Sequence, residues 1–238
     1  YADSVGQGML EHERAYLAWL DDVFARYPDL VIENCGSGGL RTDYAMLSRY
    51  SIQSTSDQED YRNYATISAN ACAGLTPEQA AVWSYPQRDG DEEETIYNMV
   101  NALLLRIHQS GHLPQLSPVR KALVKEGIDY YKTIRGDIKR AVPAWPLGLA
   151  DSLDNWMATA LKVDGKAYLA VWRRYGETDT CQIPLDKLVP AGTKTQVTLA
   201  YPKEALQENV TYETKDNVLQ VTFQKPVMAR IFEVSHLL

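Results

Sequence analysis

Near residue 143 the spacing of apolar residues changes, and that change limits the folds open to the chain more than any other feature. Up to Arg140, short apolar runs alternate with longer segments of helical spacing. Such alternation means strand–helix–strand units and a parallel sheet. Pro143-Ala144-Trp145-Pro146-Leu147-Gly148 then reads as a stiff linker. Beyond it, period-two runs at Trp156–Val163, Ala167–Arg173, Thr178–Ile183, Thr195–Leu199, Asn209–Glu213, Val218–Phe223 and Ala229–Val234 predict an antiparallel β-sandwich. Gly165, Pro184 and Asp216-Asn217 punctuate those runs. The fold class expected is therefore α/β plus all-β, with domains at 1–142 and 143–238. The first domain offers about four strand–helix units, whereas a closed (β/α)8 barrel needs eight strands and about 250 residues. It reads as half a barrel.

Within that half, the spacing predicts a helix over 4–27 with Ser4 as cap. Leu10, Leu17, Leu20 and Phe24 make its apolar stripe, with Glu13 the polar exception, and Pro28 stops it. A strand at Leu30–Glu33, a short helix at Tyr44–Arg49 and a strand at Ile52–Thr55 follow. Next come a small-residue helix over 60–73 and a strand at Gln79–Ser84. A further helix is expected from Asp91 to about Gln109. Its opening run, Asp91 to Glu94, suits a helix N-terminus better than a metal site, because negative charge there meets the positive end of the helix dipole. Gly111-His112-Leu113-Pro114 is taken as the last barrel-type segment. Ser117-Pro118 starts a final helix towards Arg140, with Pro at its first position.

Composition removes several functions. A net charge of −7 argues against a nucleic-acid partner, because phosphate binding needs clustered Lys and Arg. No apolar run reaches the 18 residues of a membrane helix. Cys35, Cys72 and Cys181 are odd in number and widely spaced, which argues against a disulfide framework and fits a reducing cytoplasm.

The runs Leu30–Glu33 and Ile52–Thr55 both end in small and polar residues: Asn34-Cys35-Gly36-Ser37-Gly38-Gly39-Leu40-Arg41-Thr42-Asp43 in one case, Ser56-Asp57 in the other. Buried parallel strands open into functional loops in this way. The glycines let the backbone approach a ligand and take positive φ. Asp57 sets a carboxylate at the end of the next strand. Together these stretches look like one wall of an active site.

The Cys-Gly-Ser-Gly-Gly-Leu-Arg-Thr-Asp run, followed by Ser-Thr-Ser-Asp, resembles the family-36 glycoside hydrolases, the α-galactosidases. The likeness extends through Glu78-Gln79-Ala80-Ala81-Val82-Trp83-Ser84-Tyr85-Pro86 and Gly111-His112-Leu113 to the C-terminal sandwich. It departs at Gly36 and Leu40, where the common members have Ser and Gly, and at Gln58-Glu59-Asp60, which replaces Asp/Asn-Thr-Asp. The resemblance implies retaining hydrolysis of α-galactosides without metal or cofactor. That chemistry uses two carboxyl groups about 5–5.5 Å apart. Asp57 would be the general acid/base; Cys35, Gly38 and Gly39 would touch the sugar, with Arg41 and Asp43 in support and Trp83 stacking on it. The family's nucleophile lies in a Lys-x-Asp-x-Asn motif that these 238 residues lack. The resemblance thus implies a C-terminal fragment, itself inactive, that begins shortly after that motif. Two open sheet edges of a half barrel imply a homo-oligomer or a missing N-terminal half. A related N-acetylgalactosaminidase or galactosyl transferase, or a non-catalytic carbohydrate-binding or assembly module, are the other functions compatible with the sequence.

Each residue also has a plainer reading. Asp57 or Ser56 could simply cap a helix. Cys35 could be a small buried hydrophobe, and Arg41 with Asp43 an ordinary ion pair. Trp83 and Tyr85 could pack inside the barrel. His108 and His112 lack a third ligand for a metal, and the Asn209-Val210-Thr211 glycosylation pattern is taken as chance.

Overall fold

The computed structural model describes residues 3–189 and 194–236, so Tyr1 lies outside the described residues. The chain divides into two compact units, Tyr1–Ser54 and Thr55–Leu238. Among the described residues no helix is long and apolar enough to cross a membrane.

The first unit holds α1 (Gln7–Arg26), β1 (Glu33–Asn34), α2 (Tyr44–Leu47) and β2 (Ile52–Ser54). Helix α1 starts at Gly6, whose φ of 87° breaks the helix geometry; Ser4 does not cap it, contrary to the sequence expectation. The two strands pair in parallel, Glu33 beside Ile52 and Asn34 beside Gln53. The expected strand Leu30–Glu33 is displaced towards the loop, because the ladder forms only where the β2 partners lie, and Leu30 and Val31 stay exposed. Side chains join the elements. The Arg49 guanidinium donates to both oxygens of Asp21, at 2.7 and 2.8 Å, and the Tyr16 and Tyr50 hydroxyls share a short hydrogen bond. Leu20 and Tyr50 are the buried apolar side chains among this unit's described residues.

The second unit begins with α3 (Tyr61–Asn70), extended by one 3-10 turn over 71–73. Then come β3 (Ala80–Ser84), α4 (Glu92–Leu103), β4 (Arg106–Gln109) and α5 (Pro118–Ile138). Ser117 caps α5 through the Arg120 amide, with Pro118 at the first position as expected. Helix α4 is shorter than its sequence suggests. It stops at Leu103, and Arg106–Gln109 pairs in parallel with Ala81–Ser84. The strand therefore precedes Gly111–Pro114 rather than lying within it. Only Ile107 in Arg-Ile-His-Gln favours a strand; the neighbouring β3 edge recruits it.

The remaining strands are β5 (Val142–Ala144), β6 (Trp156–Val163), β7 (Lys166–Arg173), β8 (Thr180–Pro184), β9 (Thr195–Tyr201), β10 (Val210–Lys215), β11 (Val218–Phe223) and β12 (Met228–His236). They form an antiparallel five-stranded sheet, β5-β6-β7-β12-β9, and a three-stranded sheet, β10-β11-β8. Two-residue turns with positive φ join β6 to β7 (Asp164 48°, Gly165 79°) and β10 to β11 (Asp216 50°, Asn217 57°). Such turns match the twist of antiparallel strands. Ala158, Ala160, Leu169 and Val171 of the larger sheet meet Ile183, Leu219, Val221 and Phe223 of the smaller. The opposite face of the larger sheet, with Met157, Leu161, Tyr168 and Trp172, packs on Ile96, Met99, Leu103, Leu123 and Ile134 of α4 and α5. The larger sheet is thus a middle layer, buried on both sides.

Polar pins cross from the helices to that layer. The Trp172 indole donates to Asn101 (2.9 Å) and the Tyr201 hydroxyl to the Leu123 carbonyl (3.1 Å). The fully buried Arg230 forks onto both oxygens of Glu93 at 2.7 Å. A buried charge of this kind is tolerated only when paired.

Candidate functional site

In the first unit the glycine loop is built on two buried amides. The Asn34 side chain donates to the Arg41 carbonyl (3.0 Å) and to Gln53 Oε1 (2.6 Å). Gln53 in turn donates from Nε2 to the carbonyls of Ser54 (2.7 Å) and Gly38 (3.4 Å). Adjacent strands β1 and β2 thus hold the loop from below. At its tip Ser37 and Gly38 both have positive φ, 48° and 76°, and Gly36 bridges to Gly39. At Gly36 a Cβ would sit 3.1 Å from the Arg41 side chain, which would have to shift slightly to admit it.

The predicted residues fall out as follows. Cys35 is exposed, not a small buried hydrophobe. Gly38 is buried under Gln53, and Gly39 and Arg41 are exposed. Asp43 caps α2 through the Met46 amide (3.0 Å) and is not ion-paired with Arg41. Arg41 instead acts electrostatically on Tyr50, whose hydroxyl is pushed up to about 12, by burial first and then by its bond with Tyr16.

In the second unit, the segment before Asp57 is fixed by a buried hydroxyl pair. Thr55 Oγ1 lies 2.9 Å from the Tyr64 hydroxyl and donates to the Ala81 carbonyl at 2.7 Å. The Tyr64 hydroxyl also donates to the Ser56 carbonyl (3.0 Å). Burial holds the Tyr64 hydroxyl above its usual range. Asp57 is exposed, and it does not cap the helix that follows. That role belongs to Asp60, which accepts from the Arg62 amide (2.9 Å), while Ser56 Oγ accepts from the Gln58 amide (3.1 Å). The plain capping explanation for Asp57 is therefore removed.

Trp83, on β3, is half-buried and stands edge-to-face with His108 of β4, ring centroids 4.9 Å apart. His108 belongs to this strand pair, and His112 lies in the turn beyond it. Among the described residues no group of three His, Cys, Asp or Glu side chains could hold a metal. The acidic run at α4 is more than a dipole partner. Asp91 caps the helix, Glu93 holds Arg230, and Glu94 pairs with Arg120 at 2.6 Å. Sequence reasoning missed Asn34, Gln53, Tyr64 and Arg120. Their only sequence signal is a polar residue inside or beside an apolar run.

No family model and no curated protein matches this sequence. Solved structures do. The galactosidase domain of an α-galactosidase–sucrose kinase is 20% identical, with a TM-score of 0.72, and matches 92% of this chain over 31% of its own. A Geobacillus stearothermophilus family-36 α-galactosidase solved with raffinose is 16% identical (TM-score 0.70; 92% of this chain, 30% of that one). The Lactobacillus brevis α-galactosidase is 17% identical (TM-score 0.67; 92% and 31%). By fold, then, the chain resembles part of a glycoside hydrolase. More narrowly, the chain has the fold of part of a family-36 α-galactosidase, and it spans just under a third of the length of these structures.

Proposed function

We propose that this chain is the C-terminal part of a retaining α-galactosidase, comprising strands five to eight of a (β/α)8 barrel (1–142) and the sandwich (143–238). Asp57 is the general acid/base. It protonates the glycosidic oxygen as the carbon–oxygen bond breaks, then takes a proton from the water that attacks the galactosyl–enzyme ester. Cys35, Gly38 and Gly39 meet the galactose hydroxyls, Arg41 supports their loop, and Trp83 offers an aromatic face. The carboxylate that attacks the anomeric carbon is supplied by sequence upstream of this chain, so these 238 residues alone do not turn over.

One observation carries this reading. An exposed Asp57, unspent as a helix cap, follows a strand in a fold shared with family-36 α-galactosidases over 92% of the chain. The test is hydrolysis of an aryl α-galactoside by the chain extended to its natural start, beside the same protein carrying Asp57→Ala. Removing a general acid/base is expected to slow turnover by about 10²–10⁴-fold. Undiminished activity in the variant, or no activity in the folded parent, overturns the reading.

A further inference from the structure

The connection from β3 to α4, Tyr85–Asp91, is gripped by buried side chains to a degree no ordinary surface loop requires. Arg120 of α5 and Glu94 of α4, 3% and 5% exposed, form an ion pair at 2.6 Å. From Nη2 Arg120 donates to the Gln87 carbonyl (2.7 Å), from Nη1 to the Arg88 carbonyl (3.3 Å) and from Nε to Thr95 Oγ1 (2.7 Å). Glu94 Oε1 accepts from the Gln87 amide (2.9 Å) and from Asn98 Nδ2 (2.8 Å). Asn98 Oδ1 accepts from the Tyr85 amide (3.1 Å), and the His112 amide donates to the Pro86 carbonyl (2.9 Å). The loop closes on its clamp so tightly that a Cβ at Gly90 would lie 2.6 Å from Glu94, and one at Gly111 2.5 Å from the Pro86 carbonyl.

Burial pushes the Glu94 carboxyl up, opposed by the Gln87 amide and Arg120. A buried ion pair is a poor way to gain stability, since apolar residues of the same size often do as well. What it supplies is geometry: a planar fork that matches two successive carbonyls. Loops following parallel strands carry function, and this one leads outward from Trp83 to the exposed Arg88 and Asp89.

We propose that Glu94 and Arg120 are a positioning pair. They hold Tyr85–Asp91 as a preformed rim on which Arg88 donates to the hydroxyl oxygens of the sugar attached to galactose. The inference rests on the α-galactosidase reading and adds to it a source of selectivity for oligosaccharides over simple galactosides. A rim held rigid before binding loses less freedom when substrate arrives.

The test compares raffinose with an aryl α-galactoside, which lacks the second sugar, on the full-length enzyme. The readout is the ratio of the two kcat/KM values. Arg88→Ala, at an exposed position, is expected to lower the raffinose-to-aryl ratio about tenfold through the raffinose KM. Arg120→Lys keeps the charge but loses the fork, and should lower the ratio similarly; Arg88→Lys should restore part of it. Equal losses on both substrates, or an unmoved ratio in Arg88→Ala, overturn the inference while leaving the enzyme assignment intact. A wild-type enzyme that hydrolyses neither substrate overturns the α-galactosidase reading, and this inference falls with it.

Discussion

The two units are held together by different physics. The second has two apolar layers, one on each face of the larger sheet, in which Ile96, Leu103, Leu161, Phe223 and Phe232 are essentially sealed from water. The first buries Leu20 and Tyr50 but leaves Met9, Leu10, Trp19 and Val31 exposed, and its tightest contacts are polar: Asn34 with Gln53, Arg49 with Asp21. A core of the first kind resists by bulk burial, at about 25 cal/mol per Å² of apolar surface. A scaffold of the second kind depends on a few hydrogen bonds, each worth about 1 kcal/mol net but costly to leave half-made. The lesson is that a glycine loop can be shaped accurately by two amides while the unit around it stays open to local unfolding.

The sharpest way to break this comparison is to empty the second core. Phe232→Ala, beside Tyr212 at a 5.2 Å ring separation, is expected to cost about 3–5 kcal/mol in chemical denaturation. A cost under about 1 kcal/mol would mean that this interior is not what stabilises the unit. In the first unit Gln53→Ala removes one of the two acceptors of Asn34 and a donor to the Gly38 carbonyl, at about 1–3 kcal/mol. Amide exchange over 33–43 should accelerate about tenfold or more while the second unit's exchange holds. Uniform acceleration everywhere would show that the units do not open separately.

A smaller effect tests electrostatics at the edge of the second core. The Tyr168 hydroxyl (2.6 Å), then Lys166 and Arg140, hold the Asp137 carboxyl down to about 2. A carboxyl depressed on folding adds stability above its unfolded value near 3.9, and that contribution disappears as pH falls through about 2. Asp137→Asn should therefore cost about 1–2 kcal/mol at pH 7. The gap to wild type should close between about pH 4 and pH 2; a pH-independent gap would assign the loss to packing instead. The smallest change is expected from Leu10→Ala on the open face of α1, within about 0.5 kcal/mol. A loss above about 2 kcal/mol there would show that this face is covered in solution.

Much of the fold was legible in advance. Val218–Phe223 and Trp156–Val163 appear as read, because local alternation and positive-φ turn residues such as Asp216-Asn217 are properties of the chain itself. The capped start of α5 was legible for the same reason. At the candidate site, the glycine loop and Asp57 stand out as small and acidic residues after apolar runs. Their supports do not, since a buried Gln or Tyr carries no local signature of its partner nineteen or nine residues away.

What the sequence determined by itself is the set of local conformations: which segments curl, which extend and where they turn, each decided over a few residues by sterics and hydrogen bonding. What only the tertiary structure decided is everything that needs a distant partner. Arg106–Gln109 became a strand because β3 offered it an edge. The larger sheet is buried on both faces because helices close over one of them. Glu94 became a clamp because Arg120, twenty-six residues on, arrives beside it in a medium that penalises a charge left without its counter-ion.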